Sequence, residues 1–232
     1  MIKRIHRIWF GPEPMPENYQ EFGQKWKDLN PDWEVTDWTE EMVKDIGVIN
    51  LDVWEHLGTP GPGETIHPVA LATQRADVLD YELIYRFGGL YVNTDIEPVR
   101  PLSVMFDNNL PMETMAAAGF EIDEWVVNAA MWAPFQEMRF WGEVIDALPH
   151  RYYSRPGDYM SNTTGPHLLT QVWHENPQLL YTFEKDTFNP IYFPEVELGK
   201  DAVFNFDDLP AVTIGVHHWG HRKNMRPQTS KV

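Results

Sequence analysis

Apolar positions along this chain switch repeatedly between a spacing of two and a spacing of three or four. Ile2, Ile8 and Phe10 mark a first buried strand, which runs into the loop Gly11-Pro12-Glu13-Pro14-Met15-Pro16. Phe22, Trp26 and Leu29 then share one helical face, and Asn30-Pro31 stops that helix. Residues 33–38 alternate as a second strand, and Thr39 is a candidate N-cap for a short helix opening at Glu40-Glu41. Gly58-Thr59-Pro60-Gly61-Pro62-Gly63 reads as a surface connection, with a lid over a site as the alternative. The longest helical pattern runs from His67-Pro68 to Phe87, where Ala72, Ala76, Leu79, Leu83 and Phe87 form one stripe. Strands are predicted near 114–119 and 126–132, and helices near 135–148 and 165–175. A last strand over 211–216 ends at His217-His218-Trp219. Strands alternating with helices predict an α/β fold with a mostly parallel, doubly wound sheet.

The segment Phe87-Gly88-Gly89-Leu90-Tyr91-Val92-Asn93-Thr94-Asp95 joins that helix to a short buried strand. Glycine supplies the left-handed turn at the helix end. Asn93 and Asp95 lie two apart, so in an extended segment both point the same way. In parallel sheets ligands bind beyond the carboxyl ends of the strands, which is where this pair is expected. One carboxylate and one amide suit a divalent cation that carries a phosphate-bearing ligand.

Composition narrows the function. With 43% hydrophobic residues in 232, the chain has the material for a core, and ten Trp exceed what a core requires. Some of those rings are expected to line a surface for a base or a sugar. A net charge of −17 argues against nucleic acid or an anionic membrane as partner. The absence of cysteine excludes disulfides and thiolate metal sites. Charges interrupt the basic N-terminus before any apolar run forms, and no stretch reaches the roughly 20 apolar residues of a membrane span. The expected location is the cytoplasm.

The block Arg75-Ala76-Asp77-Val78-Leu79, Tyr85-Arg86-Phe87-Gly88-Gly89-Leu90-Tyr91, Asn93-Thr94-Asp95 resembles the signature of the DXD-motif sugar transferases. That family includes initiating mannosyltransferases and capsular-polysaccharide transferases, with clostridial glucosylating toxins as distant relatives. Arg4-Ile5-His6-Arg7-Ile8-Trp9-Phe10-Gly11, Thr164-Gly165-Pro166 and His217-His218-Trp219 are similar to further family segments in the same order, while about 100–160 matches loosely. The resemblance implies a GT-A, Rossmann-like fold, a mostly parallel mixed sheet flanked by helices, as a single domain over 1–232. Its nucleotide-binding part would cover about 1–100 and its acceptor side about 101–232. It also implies a UDP- or GDP-sugar donor, a glycan or protein acceptor, manganese or magnesium, and retention of anomeric configuration.

Residue by residue, the resemblance implies that Asp95 binds the metal, with His218, alone or with His217, completing the shell. Neighbours on a strand face opposite ways, so only one of those histidines is expected to reach it. Trp9 would stack on the base, or simply pack in the core. Asp77, an ordinary mid-helix carboxylate on the residues alone, would hold ribose or sugar hydroxyls, and Tyr91 would lie beside the diphosphate. Asn128 and the loop Thr163-Thr164-Gly165-Pro166 are candidates for the acceptor and donor-sugar wall. Arg222 and Lys223 would neutralise a pyrophosphate, or are surface charges. His6 reads as a hydrogen-bonded structural histidine.

Two departures stand out. Asn93 replaces the first Asp of the motif, keeping an oxygen but losing a charge. Asp80 stands where many relatives carry an Arg, so it would accept from sugar hydroxyls instead of neutralising phosphate. A non-catalytic nucleotide-sugar-binding module and a metal-dependent phosphohydrolase are the competing classes. The second lacks the dense Asp/His cluster a two-metal site requires.

Overall fold

Strand β1 (Arg4–Ile8) is an interior strand, and every residue after Arg4 is buried. In this computed structural model, which describes residues 1–11, 13–59, 67–106, 111–122, 125–191 and 204–220, Ile5 meets Val35 on one side and Leu90 on the other. Helix α1 (Glu17–Leu29) follows, burying Tyr19, Phe22, Gly23 and Trp26 at the spacing of one face. Asn30 ends it by donating from Nδ2 to the Trp26 carbonyl at 3.0 Å and accepting from the Leu102 amide at 2.8 Å. Strand β2 (Glu34–Trp38) then lies parallel to β1 in one-to-one register.

Two short helices, α2 (Glu40–Ile46) and α3 (Leu51–Leu57), come next. Thr39 is the N-cap residue of α2 by position, but its side chain makes no capping bond. Both helices lean on α4 (Pro68–Phe87) through polar side chains. Arg86 donates to the Ile46 and Gly47 carbonyls at the end of α2, and Glu82 accepts from the Ile49 and Asn50 amides at the start of α3. Each charge meets the helix end whose dipole it complements. Among residues 58–63, those from 60 onward lie outside the described residues.

Helix α4 stops at Gly88, with φ of 62°, and Gly89, with φ of 90°. A side chain at 89 would also stand 2.5 Å from the Arg4 carbonyl oxygen, so β1 could not approach. The turn leads straight into β3 (Gly89–Val92), buried throughout. Its alternation puts Tyr91 in the core layer with α4, and Leu90 and Val92 in the layer with Trp26 of α1.

Strand β4 (Ile96–Pro98), helix α5 (Ser103–Phe106), β5 (Ala116–Ile122) and β6 (Trp125–Ala133) follow, then α6 (Arg139–Tyr153), α7 (Met160–Thr163), α8 (Pro166–Glu175), β7 (Leu180–Phe183) and β8 (Gly215–His217). The main sheet has six strands in the order β2-β1-β3-β6-β5-β7. Pairings β1–β2, β1–β3 and β5–β7 are parallel, while β6 runs antiparallel to both β3 and β5. The sheet is therefore mixed with parallel pairings in the majority, flanked by helices on both faces. A separate two-stranded antiparallel sheet, β4–β8, aligns Ile96 with His217. The predicted last strand shrinks to three residues, and the helix predicted at 135–148 starts later and runs to Tyr153. Among the described residues, no helix is long and apolar enough to cross a membrane.

Candidate functional site

Because α4 feeds β3 through Gly88-Gly89, the early half of α4 returns to the carboxyl end of β3. There the strand stops at Val92, and residues 93–95 turn instead of extending. The Ile96 amide bonds the Asn93 carbonyl at 3.1 Å, while the Asn93 amide bonds Ala129 at 2.9 Å. The turn corrects the expectation that Asn93 and Asp95 aim at a common point. Asn93 Oδ1 accepts from the Tyr91 hydroxyl at 3.0 Å. Asp95, buried, accepts from the Gly220 amide at 2.7 Å through Oδ2, and its Oδ1 lies 3.2 Å from His217 Nε2.

The C-terminal strand delivers that histidine. Pairing of Ile96 with His217, and a bond from the His218 amide to the Asp95 carbonyl at 3.0 Å, fix its register. His217 therefore faces Asp95 and Asn189, whereas His218 faces the other way, 3.0 Å from Glu97 and stacked on Phe22. One histidine of the pair reaches the acid, as parity requires, but it is His217; His218 is engaged by a carboxylate that Lys25 also binds. Trp219 carries a positive φ of 55°, an uncommon conformation for a bulky residue, and this bend aims the Gly220 amide at Asp95. Arg222 and Lys223 lie outside the described residues.

A second cluster forms where α4, β6 and the turn between α7 and α8 meet. Asn128 Nδ2 donates to Asp77 Oδ1 and to Asp80 Oδ2, each at 2.9 Å. The Thr164 hydroxyl donates to Asp77 Oδ2 at 2.8 Å, and the Tyr81 hydroxyl holds the Thr164 carbonyl at 3.0 Å. Asp77 is thus not the solvated mid-helix acid that its sequence position suggests. Burial raises its pKa to about 6 against the pull of the Asn128 and Thr164 hydrogen bonds. Asp80, 1% exposed, is pushed well above the usual carboxylate range by burial first and the Asp77 charge second. The Tyr91 phenol is likewise raised, chiefly by burial and then by Asp80 and Asp77, so it stays a neutral hydrogen-bond donor to Asn93.

Trp9 follows β1 directly. Its amide bonds the Trp38 carbonyl at 3.0 Å, its indole nitrogen donates to the Glu13 carbonyl at 2.9 Å, and its ring meets Tyr19 edge-on. The ring is partly exposed at the same end of the sheet as Asn93. His6 is structural, as read from the sequence. Trp38 donates to its Nδ1 at 3.1 Å, so Nε2 carries the hydrogen and donates to the Gly88 carbonyl at 2.8 Å. Burial lowers its pKa to about 4.

Sequence reasoning overlooked Arg7, Tyr19, Tyr81, Glu97 and Gly220. Arg7 is fully buried within β1, and the signal was a cation at an inward position among apolar residues. Among the described residues, no group of three His, Cys, Asp or Glu side chains is arranged for a metal. What the turn offers is a pair, a carboxylate oxygen 3.2 Å from the buried His217 Nε2, which has no hydrogen-bond partner among the described residues. Two such donors would leave the remaining positions of a divalent cation to phosphate and water.

Residues 16–116 match the family described as a glycosyltransferase sugar-binding region containing DXD motif. The match takes in less than half of the chain. The DXD region contains α4, the glycine turn and Asn93–Asp95, and relatives match beyond it. The inositol phosphoceramide mannosyltransferase 3 of Schizosaccharomyces pombe is 23% identical over 94% of this chain and 59% of its own length. The mannosyl phosphorylinositol ceramide synthase SUR1 of Saccharomyces cerevisiae is 25% identical over 75% of this chain and 42% of its own. The chain thus spans about half the length of the curated relatives it matches.

Solved structures place the DXD region in a GT-A fold. The PaToxG glycosyltransferase superposes with a TM-score of 0.58 at 16% identity, over 76% of this chain and 70% of that one. The catalytic domain of alpha-toxin from Clostridium novyi gives 0.52 at 10% identity, over 77% and 73%. At such identities the likeness is one of fold.

Proposed function

We propose that the chain is a glycosyltransferase that moves a sugar from a nucleotide-diphosphate sugar to an acceptor hydroxyl, retaining anomeric configuration, with a divalent cation at the Asp95 turn. The observation that carries this reading is the gathering of Trp9, Asn93, Asp95, Asp77 and Asn128 at one end of the sheet, with a DXD sugar-binding region supplying all but Trp9 and Asn128. Trp9 stacks on the base. Asp77, held by Asn128 and Thr164, accepts hydrogen bonds from ribose or sugar hydroxyls, and Tyr91 fixes the Asn93 amide beside the diphosphate. Asp95 and His217 would hold manganese or magnesium, which when bound stabilises charge on the departing diphosphate. The acceptor, a glycan or a protein, attacks from the leaving-group face without a protein nucleophile.

The relatives' names support a hexose donor and make mannose the first sugar to try. A structural neighbour described with UDP bound supports a nucleoside diphosphate. The test is release of nucleoside diphosphate from a panel of UDP- and GDP-sugars, with manganese and then with chelator. Manganese-dependent consumption of one donor supports the proposal. Manganese-dependent binding of nucleotide without turnover, even with acceptors supplied, would leave a binding module, a reading favoured by the engagement of Asn93 with Tyr91 and by Asp80 in place of a cation.

A further inference from the structure

Arg7 carries a charge that none of these roles uses. Its guanidinium is fully buried behind the Asn93–Asp95 turn, where burial alone is costly for a cation. Nη2 donates to the Tyr19 carbonyl at 2.5 Å and reaches the Thr94 carbonyl at 3.4 Å, while Nη1 lies 3.3 Å from Asp37 Oδ1. Its charge also acts on Asp95 and on Tyr91, the two side chains flanking the turn. Room for it comes from Gly23 in the middle of α1, where a Cβ would collide with Nη1. Glycine inside a helix costs about 1 kcal/mol relative to alanine, so the helix gives up stability where it admits this cation.

We infer that Arg7 is a positioning residue: it ties the Thr94 carbonyl to Tyr19 of α1 and Asp37 of β2, so that the Asn93–Asp95 turn is set in its binding geometry before any ligand arrives. The Thr94 carbonyl is held between the two side chains that meet the ligand. The planar fork matters, because Nη2 faces Tyr19 and Thr94 while Nη1 faces Asp37, a spread that a single ammonium nitrogen does not reproduce. The inference rests on the reading that this turn binds the donor, but its first test does not.

The test compares wild type with Arg7→Lys and Arg7→Gln as folded, full-length proteins. Amide hydrogen exchange in peptides covering 93–98 and 215–220 is expected to quicken about tenfold in Arg7→Gln and less in Arg7→Lys, with α6 unchanged. Calorimetric affinity for UDP or GDP with manganese is expected to fall about tenfold in Arg7→Gln, with partial rescue by Lys. Exchange that quickens evenly across the molecule, or turn peptides indistinguishable from wild type, overturns the inference. If wild type binds neither nucleotide, the donor reading fails, and the exchange pattern still decides the role of Arg7. Should both variants fail to fold, Gly23→Ala keeps Arg7 but displaces its guanidinium; selective loss of turn protection supports the tether, and unchanged protection refutes it.

Discussion

Replacing Asp77 by Asn should stabilise the protein while weakening the proposed donor binding. Asp77 is raised from an ordinary 3.8 to about 6 by burial, a difference worth about 3 kcal/mol against the fold when the group is ionised. The side-chain geometry accommodates the amide. Its oxygen can keep the 2.9 Å bond from Asn128, and its nitrogen can donate to Thr164 Oγ1, whose own hydrogen turns to the Met160 carbonyl at 3.5 Å. Removing the Asp77 charge also relieves Asp80, which that charge helps to raise. The sign follows from the direction of the shift. A carboxyl whose folded pKa is raised destabilises the fold fully above pH 6, and the penalty fades as pH falls from 6 to 3.8. Asp77→Asn should therefore raise the melting temperature by about 5–10 °C at pH 7.5 and by little at pH 4. Thermal unfolding at both pH values is the assay. A variant less stable than wild type at pH 7.5, or equally stabilised at both, would refute the argument.

His6 works in the opposite sense. Its folded pKa of about 4 lies below the ordinary 6.5, so it contributes stability above 6.5 that is lost as pH falls toward 4, about 3 kcal/mol in all. His6→Gln should flatten the pH dependence in that window, and denaturant titration at pH 7.5 and 4.5 would show it. Asp95→Asn should abolish manganese-dependent transfer and leave circular dichroism native, and full activity in it would sink the assigned role. Trp9→Ala should weaken nucleotide binding about tenfold or more with little effect on turnover at saturation, which calorimetry and saturation kinetics check separately. Chelation should remove both turnover and nucleotide-induced thermal stabilisation, and metal-independent turnover would remove the cation from the reaction.

The order of strands and helices was legible because punctuation marked it. Asn30-Pro31 and Gly88-Gly89 end helices for reasons that act within a few residues, and the stripe on α4 is long. Helix α3 went unseen because two turns give no amphipathic run, and it stands on Glu82, some thirty residues away. A mixed sheet was expected, but not that β6 is the strand that runs against its neighbours, since strand direction depends on pairing between distant segments and not on composition. The sequence brought Asp77, Asn128 and Thr164 forward only through a family likeness; their hydrogen bonds join positions 48 to 87 residues apart.

The histidine pair shows where pattern reasoning stops. Parity dictates that His217 and His218 face opposite ways, but it cannot say which faces the acid. That choice is made by β4 and the turn before it: the pairing of Ile96 with His217 puts the ring at 218 on the face of Glu97, and the turn at 93–95 brings the Asp95 carboxylate to the ring at 217. A slip of one residue in this three-residue ladder would exchange the two. Several contacts beyond the ladder hold the register: the His217 amide on Phe188, the Asn189 side chain on His217, and the Gly220 amide on Asp95. Asp95 is thus both the residue the C-terminal strand is built against and the one on which the proposed chemistry depends. Arg7 supports it from within, so a single buried cation underlies both the fold and the site at this point.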